Sequence, residues 1–238
     1  MVPLSFGDTE LLLRSDRAVY WPREKTLFVA DLHLEKASFF ASHGQPLPPY
    51  DSRETLDRVA LAVRETGAER VVTLGDNFHD PDGAARLEDV ACDVLRTLTG
   101  MVDWIWITGN HDGPADAAGA AAQCGGTLHA ELAIGGIVCR HEALPGEVRG
   151  ELSGHWHPKL DVTIRGRRIR RPCAVVAQRD GAPPRMVLPA FGTLTGGMDA
   201  AHAAIRKALS PADRIDAACA VRGQLVRLPL WQAERRAA

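Results

Sequence analysis

Arg70-Val71-Val72-Thr73-Leu74-Gly75-Asp76-Asn77 reads as one buried strand that stops on a glycine and delivers a carboxylate. Its first five residues are β-branched or apolar apart from Arg70, the composition of a strand covered on both faces. Gly75 allows a sharp turn and a close approach to a ligand. In open α/β sheets ligands bind beyond the carboxyl ends of strands, so chemistry is expected at Asp76. Gly-Asp alone is an ordinary turn, and the reading gains weight only because other strand ends carry matching side chains.

Upstream, Thr26-Leu27-Phe28-Val29-Ala30 is a second apolar strand, and it runs into Asp31-Leu32-His33. Alternation puts Asp31 and His33 on one face, a spacing that lets a carboxylate and an imidazole share one metal ion. Residues 44–50, with three prolines, form a loop beside this position. Asp51 is expected to cap the next helix, with Glu54 completing a capping-box-like pair. Leu56, Val59, Ala60 and Val63 supply its apolar stripe, and Gly67 stops it. Strand, helix and strand predict parallel pairing through a right-handed crossover. Glu35 and Lys36 are expected to be solvated or to start a helix.

Downstream of Asp76 comes the polar loop Asn77-Phe78-His79-Asp80-Pro81-Asp82-Gly83, then a helix over 87–98 with Leu87, Val90, Val94, Leu95 and Leu98 inward. Trp104-Ile105-Trp106-Ile107 is another buried strand, leading to Gly109-Asn110-His111-Asp112, and an Ala-rich helix follows to about Gln123. From Thr127 the pattern turns to strands, at 128–130, 131–134 and 137–140, the last delivering His141. Glu151-Leu152-Ser153 ends in Gly154-His155-Trp156-His157. Further strands are expected at 160–164, 169–171, 174–177 and 185–188, then a Gly-rich segment over 191–197 and a pair at 218–221 and 224–228. Near the start, 10–13 and 18–21 read as two strands. No repeat, low-complexity segment or linker interrupts the chain, so residues 1–238 are expected to form a single domain. A helix-alternating half followed by a strand-rich half predicts an α/β fold of two packed mixed β-sheets flanked by helices.

The bulk numbers exclude several classes. The chain has 238 residues, 45% apolar and 24% charged, with net charge −2, so any affinity for nucleic acid must come from a local patch. No stretch approaches the ~20 apolar residues of a membrane span. The first residues lack a basic start and an apolar run, so no secretory signal is read there. The five cysteines form no Cys-x-x-Cys pair and are expected to be reduced core residues of a cytoplasmic protein.

Strand ends thus carry Asp31, His33, Asp76, Asn110, His111, His141, His155 and His157. All are oxygen or imidazole donors and none is a thiolate, a set that suits Mn, Fe or Zn. Seven of them as ligands are too many for one tetrahedral zinc and suit two ions sharing Asp76. Two ions ~3.5–4 Å apart would hold a hydroxide nucleophile and clamp both sides of an in-line phosphoryl displacement. Singly, each piece has a plainer reading: a strand-end turn for Asp31-Leu32-His33, a helix cap and surface histidine for Asn110-His111. The ordered set is hard to ascribe to coincidence.

Asp31-Leu32-His33, Gly75-Asp76-Asn77, Gly109-Asn110-His111-Asp112, His141 and Gly154-His155-Trp156-His157 resemble the five motifs of the calcineurin-like metallophosphoesterases, in that family's order. Asp31 to Lys36, Gly75 to Asp80, and Pro189-Ala190-Phe191-Gly192 with Thr195-Gly196-Gly197 further resemble its ligase-associated DNA damage response endonuclease branch. That branch comprises manganese-dependent phosphodiesterases linked with bacterial DNA repair helicases and ligases. The resemblance implies a four-layer sandwich and two divalent metal ions, most simply Mn. One ion would take Asp31, His33, Asp76 and His157, and the other Asp76, Asn110, His141 and His155. It implies His111 as general acid for the leaving alkoxide. Many relatives place an orienting Asp three residues after the bridging one. Here that place is His79, followed by Asp80, so either is a candidate to orient His111, and His79 is alternatively a direct phosphate contact. His43, His129 and His202 are read as surface or structural.

Arg165, Arg167, Arg168, Arg170 and Arg171 form the one basic cluster. In a hairpin, alternation would divide them between faces. They could hold a nucleic-acid backbone or keep a strand edge solvated. Aromatics are only 5% of the chain, so no ladder for stacking bases is evident and sequence-specific readout is not expected. Three functions fit these residues: a DNA-cleaving phosphodiesterase of repair, a phosphodiesterase for cyclic nucleotides or similar small esters, and a metal-stabilised scaffold in a repair assembly. A complete ligand set plus His111 favours an enzyme, because a scaffold needs no general acid.

Overall fold

Short hydrophobic strands separated by turns leave this chain two large apolar surfaces, and they are buried against each other. The computed structural model describes residues 1–112, 119 and 123–233; most of the Ala-rich helix expected before Gln123 lies outside them. In the first sheet, β1 (Val2–Phe6), β2 (Thr9–Leu13), β3 (Val19–Trp21), β4 (Thr26–Val29), β5 (Arg70–Leu74), β6 (Asp103–Ile107) and β7 (Thr127–His129) lie side by side in sequence order. The first four form an antiparallel meander, and β4 to β7 run parallel. The expected parallel pairing of the Phe28 and Val72 strands is therefore present.

The strand-rich half supplies β8 (Glu131–Ile134), β9 (Ile137–Arg140), β10 (Gly150–Ser153), the hairpin strands β11 (Lys159–Ile164) and β12 (Arg167–Pro172), and then β13 (Ala174–Arg179), β14 (Ala182–Val187), β15 (Arg214–Val221) and β16 (Gln224–Gln232). The second sheet is mixed, in the order β16-β15-β13-β14-β10-β9-β8, while β11 and β12 stand apart as a two-stranded ribbon. Leu4, Phe28, Val72, Leu74 and Ile107 from one sheet meet Cys139, Leu152, Val176 and Met186 from the other. Each fully buried side chain of this size contributes roughly 1.5–3 kcal/mol.

Helices cover the outer faces. The helices α1 (Lys36–Ser42), α2 (Asp51–Thr66), α3 (Gly83–Arg86) and α4 (Asp89–Met101) precede the strand-rich half. Leu56, Val59 and Val63 of α2 and Leu95 and Leu98 of α4 pack on Leu27, Val71, Trp104 and Trp106. The short helix Ala203–Ala208 covers the second sheet through Ile205 and Ala208, which meet Val175, Val187 and Ile215. Helix, sheet, sheet and helix make the four layers expected. No described helix is long and apolar enough to cross a membrane.

Several local expectations are corrected. Val90 is 53% exposed; the inward face of α4 is Ala91, Cys92, Leu95 and Leu98. Asp51 does not cap α2, where Tyr50 holds the cap position without a side-chain bond. Its carboxylate instead accepts the Ala37 N–H of α1 at 3.1 Å, so it joins two helices. Glu35 sits at the start of α1 as one expectation had it, but it is buried, not solvated, and accepts from Ser52 Oγ at 2.6 Å. The strand β1 and helix Ala203–Ala208 were not expected at all, and α1 was expected only as a helix start at Glu35 and Lys36.

Candidate metal centre

The carboxyl ends of β4, β5, β6, β9 and β10 meet at one rim of the sandwich, and Asp31, Asp76, Asn110, His141 and His155 follow them there. The backbone is forced to make the meeting possible. Asp31, His33, Asp76, His155 and His157 all have positive φ, between 44° and 73°. Non-glycine residues rarely adopt this region, and such strain persists where the surrounding structure imposes it, commonly at functional sites. Gly75 has φ 78°, and a Cβ on it would overlap the His141 ring. A Cβ on Gly109 would overlap the Asp76 backbone and carboxylate.

Two nests of donor atoms result. In one, Asp31, His33, Asp76 and His157 bring a ligand atom each within 4.8 Å of the others. His33 Nε2 lies 3.2 Å from His157 Nε2 and 3.6 Å from Asp76 Oδ2, while His157 Nε2 lies 3.4 Å from Asp31 Oδ1. Burial, and after it the neighbouring His157, hold the His33 pKa down to about 2, so the ring is neutral. In the other nest, His141 Nε2 stands 3.4 Å from Asp76 Oδ1, 2.9 Å from Asn110 Oδ1 and 3.0 Å from His155 Nδ1. Asn110 Oδ1 is also 2.9 Å from His155 Nδ1.

These contacts test whether a cation fits. His141 Nδ1 faces the Leu74 carbonyl at 3.0 Å, which fixes the proton there and leaves Nε2 as a lone pair. That lone pair points at the oxygen of Asn110 and the carboxylate of Asp76, so acceptors converge on acceptors. In the first nest two carboxylates and two imidazoles crowd one point in the same way. A divalent cation at each point turns this repulsion into coordination, and the oxygen and nitrogen donors suit Mn, Fe or Zn. Asp76 belongs to both nests.

Around the nests, backbone bonds set the side chains. Both Asp31 oxygens accept the His155 N–H, at 2.9 and 3.1 Å. The Asp76 carboxylate accepts the His111 N–H at 3.0 Å. His111 Nδ1 donates to the carbonyl of His79 at 2.9 Å, leaving Nε2 free. The group that orients His111 is therefore the His79 main chain. Asp80 is occupied by Arg86, at 3.0 Å to Nη1. The His79 ring stacks beside His111 at 16° and 5.6 Å, and with His33 and His111 it forms a third set of close imidazoles. Burial, with nearby Lys36, lowers the His79 pKa to about 4.

Asp112 has a role the sequence reading missed. Buried, it accepts from Asn77 N at 2.9 Å, Phe78 N at 3.1 Å, Gly109 N at 2.9 Å and Asn77 Nδ2 at 2.8 Å. It thereby ties the loop after β5 to the loop after β6. Its burial raises its pKa despite these donors. The only signal was its place two residues after Asn110.

The arginines do not act as one cluster. Arg165 caps the hairpin turn with φ 49°, and Arg167 is exposed. Arg168 pairs with Asp161 at 2.9 Å, Arg170 reaches the Gly197 carbonyl at 2.6 Å, and Arg171 lines a cavity between the sheets. His43 and His202 are exposed and His129 ends β7, bonded through its carbonyl to Thr108.

A profile of the calcineurin-like phosphoesterases matches residues 24–156. Among solved structures, the chain is similar to the nuclease MPE of Pseudomonas putida, with 30% identity and a TM-score of 0.69 over 95% of this chain and 98% of that one. It is also similar to Yfce, a phosphoesterase from E. coli, at 14% identity and a TM-score of 0.43 over 86% of this chain and 98% of that one, a likeness that carries no weight here. No curated protein sequence matches.

Proposed function

The chain belongs to the calcineurin-like phosphoesterases and is a metal-dependent phosphoesterase, and from that premise we propose that it is a phosphodiesterase acting on DNA as an endonuclease. The observation that carries this reading is the pair of acceptor nests joined by Asp76, with His111 beside them. Asp31, His33, Asp76 and His157 would hold one divalent ion, and Asp76, Asn110, His141 and His155 the other, with manganese the metal we propose. Two such ions activate water and polarise the phosphoryl oxygens on both sides of an in-line displacement.

The residues of the chain supply the rest. His111, pinned by the His79 carbonyl, presents Nε2 to the leaving oxygen and gives it a proton. His79, kept neutral by burial, serves as a hydrogen-bond partner of a phosphate oxygen. Similarity to a nuclease supports nucleic acid as the substrate. Five buried free thiols support a reducing compartment, the cytoplasm. Work in DNA repair beside a helicase or ligase belongs to the same proposal and rests on the motif resemblance.

The test is activity with added manganese on bis(p-nitrophenyl) phosphate and on circular DNA. Turnover of the first and nicking of the second are expected. Turnover without nicking would move the substrate to small esters such as cyclic nucleotides. Neither activity, with metals demonstrably bound, would leave a scaffold.

A further inference from the structure

Four cations outside the metal centre are grouped around one loop. Arg17 Nη1 donates to the carbonyls of Ala190 at 3.3 Å and Gly192 at 3.2 Å. Lys159 Nζ donates to Thr195 O at 3.3 Å, and Arg170 Nη2 to Gly197 O at 2.6 Å. Thr195 Oγ1 folds the loop on itself by donating to Gly192 O at 2.8 Å. The loop is fastened to the metal ligands: Gly192 N donates to Asp31 O at 3.2 Å and Met198 N to His157 O at 3.2 Å. Arg171 lines a cavity of about 180 Å³ together with Arg17 and Pro189.

Carbonyl oxygens orient a cation without neutralising it. Among the described residues, no carboxylate forms an ion pair with Arg17, Lys159, Arg170 or Arg171, whereas Arg14 is paired with Asp16 and Glu65, and Arg168 with Asp161. Burial, and after it the nearby charges of Arg170 and Arg17, lower the pKa of Lys159, while Asp16 and Glu54 act on Arg17 and Asp161 on Arg170 without forming an ion pair with them.

Strand register locates the group. Val19 of β3 lies beside Phe28 of β4, so the Arg17 turn is at the rim where β4 delivers Asp31. Ser153 of β10 pairs with Val187 of β14, which pairs with Val175 of β13, just after Arg171 and Cys173. From His155 to Arg171 the rim therefore advances by two strands, roughly 10 Å at ~4.8 Å per strand.

We propose that Arg17, Lys159, Arg170 and Arg171 form a track along this rim that holds the phosphodiester backbone of a nucleic-acid strand on one side of the scissile bond. The track rests on the phosphodiesterase reading above and adds where the polymer lies. It binds charge and not bases, since its donors are guanidinium and ammonium groups gathered around the loop and the loop's Phe191 is buried. It excludes Arg168, whose charge is spent on Asp161.

The test compares the manganese-loaded protein with Lys159→Gln, Arg170→Gln, Arg171→Gln and Arg17→Gln variants, and with Arg168→Gln as control. Glutamine keeps an amide donor, on a shorter side chain, while removing the charge. Binding of a phosphorothioate single strand is measured against salt, and turnover of bis(p-nitrophenyl) phosphate alongside. Each track variant should flatten the plot of log affinity against log salt by about 0.7, the increment for one single-strand phosphate contact. A double variant should flatten it about twice as much, with Arg168→Gln and aryl diester turnover unchanged. Unaltered slopes, equal effects from Arg168→Gln, or absence of strand binding by the unsubstituted protein would overturn the track. A parallel fall in aryl diester turnover would show that the loop supports the metal ligands and would overturn it as well. Failure of the phosphodiesterase reading is seen separately, as no diester turnover by the unsubstituted protein.

Discussion

Asp76 is the side chain shared by both nests. Oδ2 faces His33 at 3.6 Å, and Oδ1 faces His141 at 3.4 Å while accepting the His111 N–H at 3.0 Å. His111 lies one bond further out, its N–H held by the Asp76 carboxylate and its ring by the His79 carbonyl, and that ring is no part of either nest that contains Asp76. His111→Ala should therefore leave bound metal unchanged while slowing hydrolysis by about 10²–10⁴-fold for alkyl leaving groups, the usual range for a general acid. Nitrophenolate needs no proton and should lose far less. Rates for both leaving groups, with metal content measured on the same samples, check this, and equal losses would remove His111 from that role. Gly75 allows a sharper test of geometry. Gly75→Ala strains a φ of 78° and pushes a methyl group into the His141 ring, so the nest of Asn110, His141 and His155 should weaken first. Metal titration should show one strong and one weakened site. At this scale the residues that gather in the two nests were legible in the sequence, because each follows an apolar strand and a glycine or a short turn. Asp112 and the His79 carbonyl were not, since main-chain partners leave no residue-type signature.

Elements were legible where their burial follows one period. After their first residues, Arg70 and Asp103, the β5 and β6 runs are buried throughout and apolar but for Thr73, as strands covered on both faces must be. The missed β1 alternates cleanly, with Val2, Leu4 and Phe6 buried and Pro3 and Ser5 exposed, but a proline at its second position obscured it. Proline is tolerated there because β1 is an edge strand. Helix α1 was read only as a start at Glu35 and Lys36, without an extent, for a different reason: it is two turns long, and its start is fixed by tertiary bonds from Asp51 and Ser52 rather than by a local cap. The stripe expected for α4 is inward at Leu87, Val94, Leu95 and Leu98 and fails at Val90 alone, because Val90 fits a helical period as well as Ala91 does. The difference is measurable. Leu95→Ala removes a fully buried side chain from the core against Trp104 and Trp106 and should cost about 2–5 kcal/mol. Val90→Ala, at an exposed site, should stay within about 0.5 kcal/mol. Urea unfolding of both variants decides which face of α4 is inward.

The whole molecule brings candidate ligands from both halves of the chain to one rim, so metal bound there would couple to folding. The first nest draws Asp31, His33 and Asp76 from the helix-alternating half and His157 from the strand-rich half; the second draws Asp76 from one and His141 and His155 from the other. Without cations the two halves meet there through facing acceptors and positive-φ backbone, an arrangement that opposes the apolar contact between the sheets. Ions that bind the folded chain stabilise it by mass action, by about 4 kcal/mol when free metal exceeds its dissociation constant a thousandfold. Chelation should accordingly lower the melting temperature by several degrees, the usual response of a domain this size to a few kcal/mol, and added manganese should restore it. Asp76→Ala separates this coupling from non-specific stabilisation by salt. Losing the carboxylate common to both nests removes ligands and repulsion together, so the variant should melt near the chelated protein and respond little to manganese. Calorimetric scans with manganese, with chelator and with calcium as a size control measure the effect, and an equal manganese-induced rise in Asp76→Ala would show that the ions bind elsewhere.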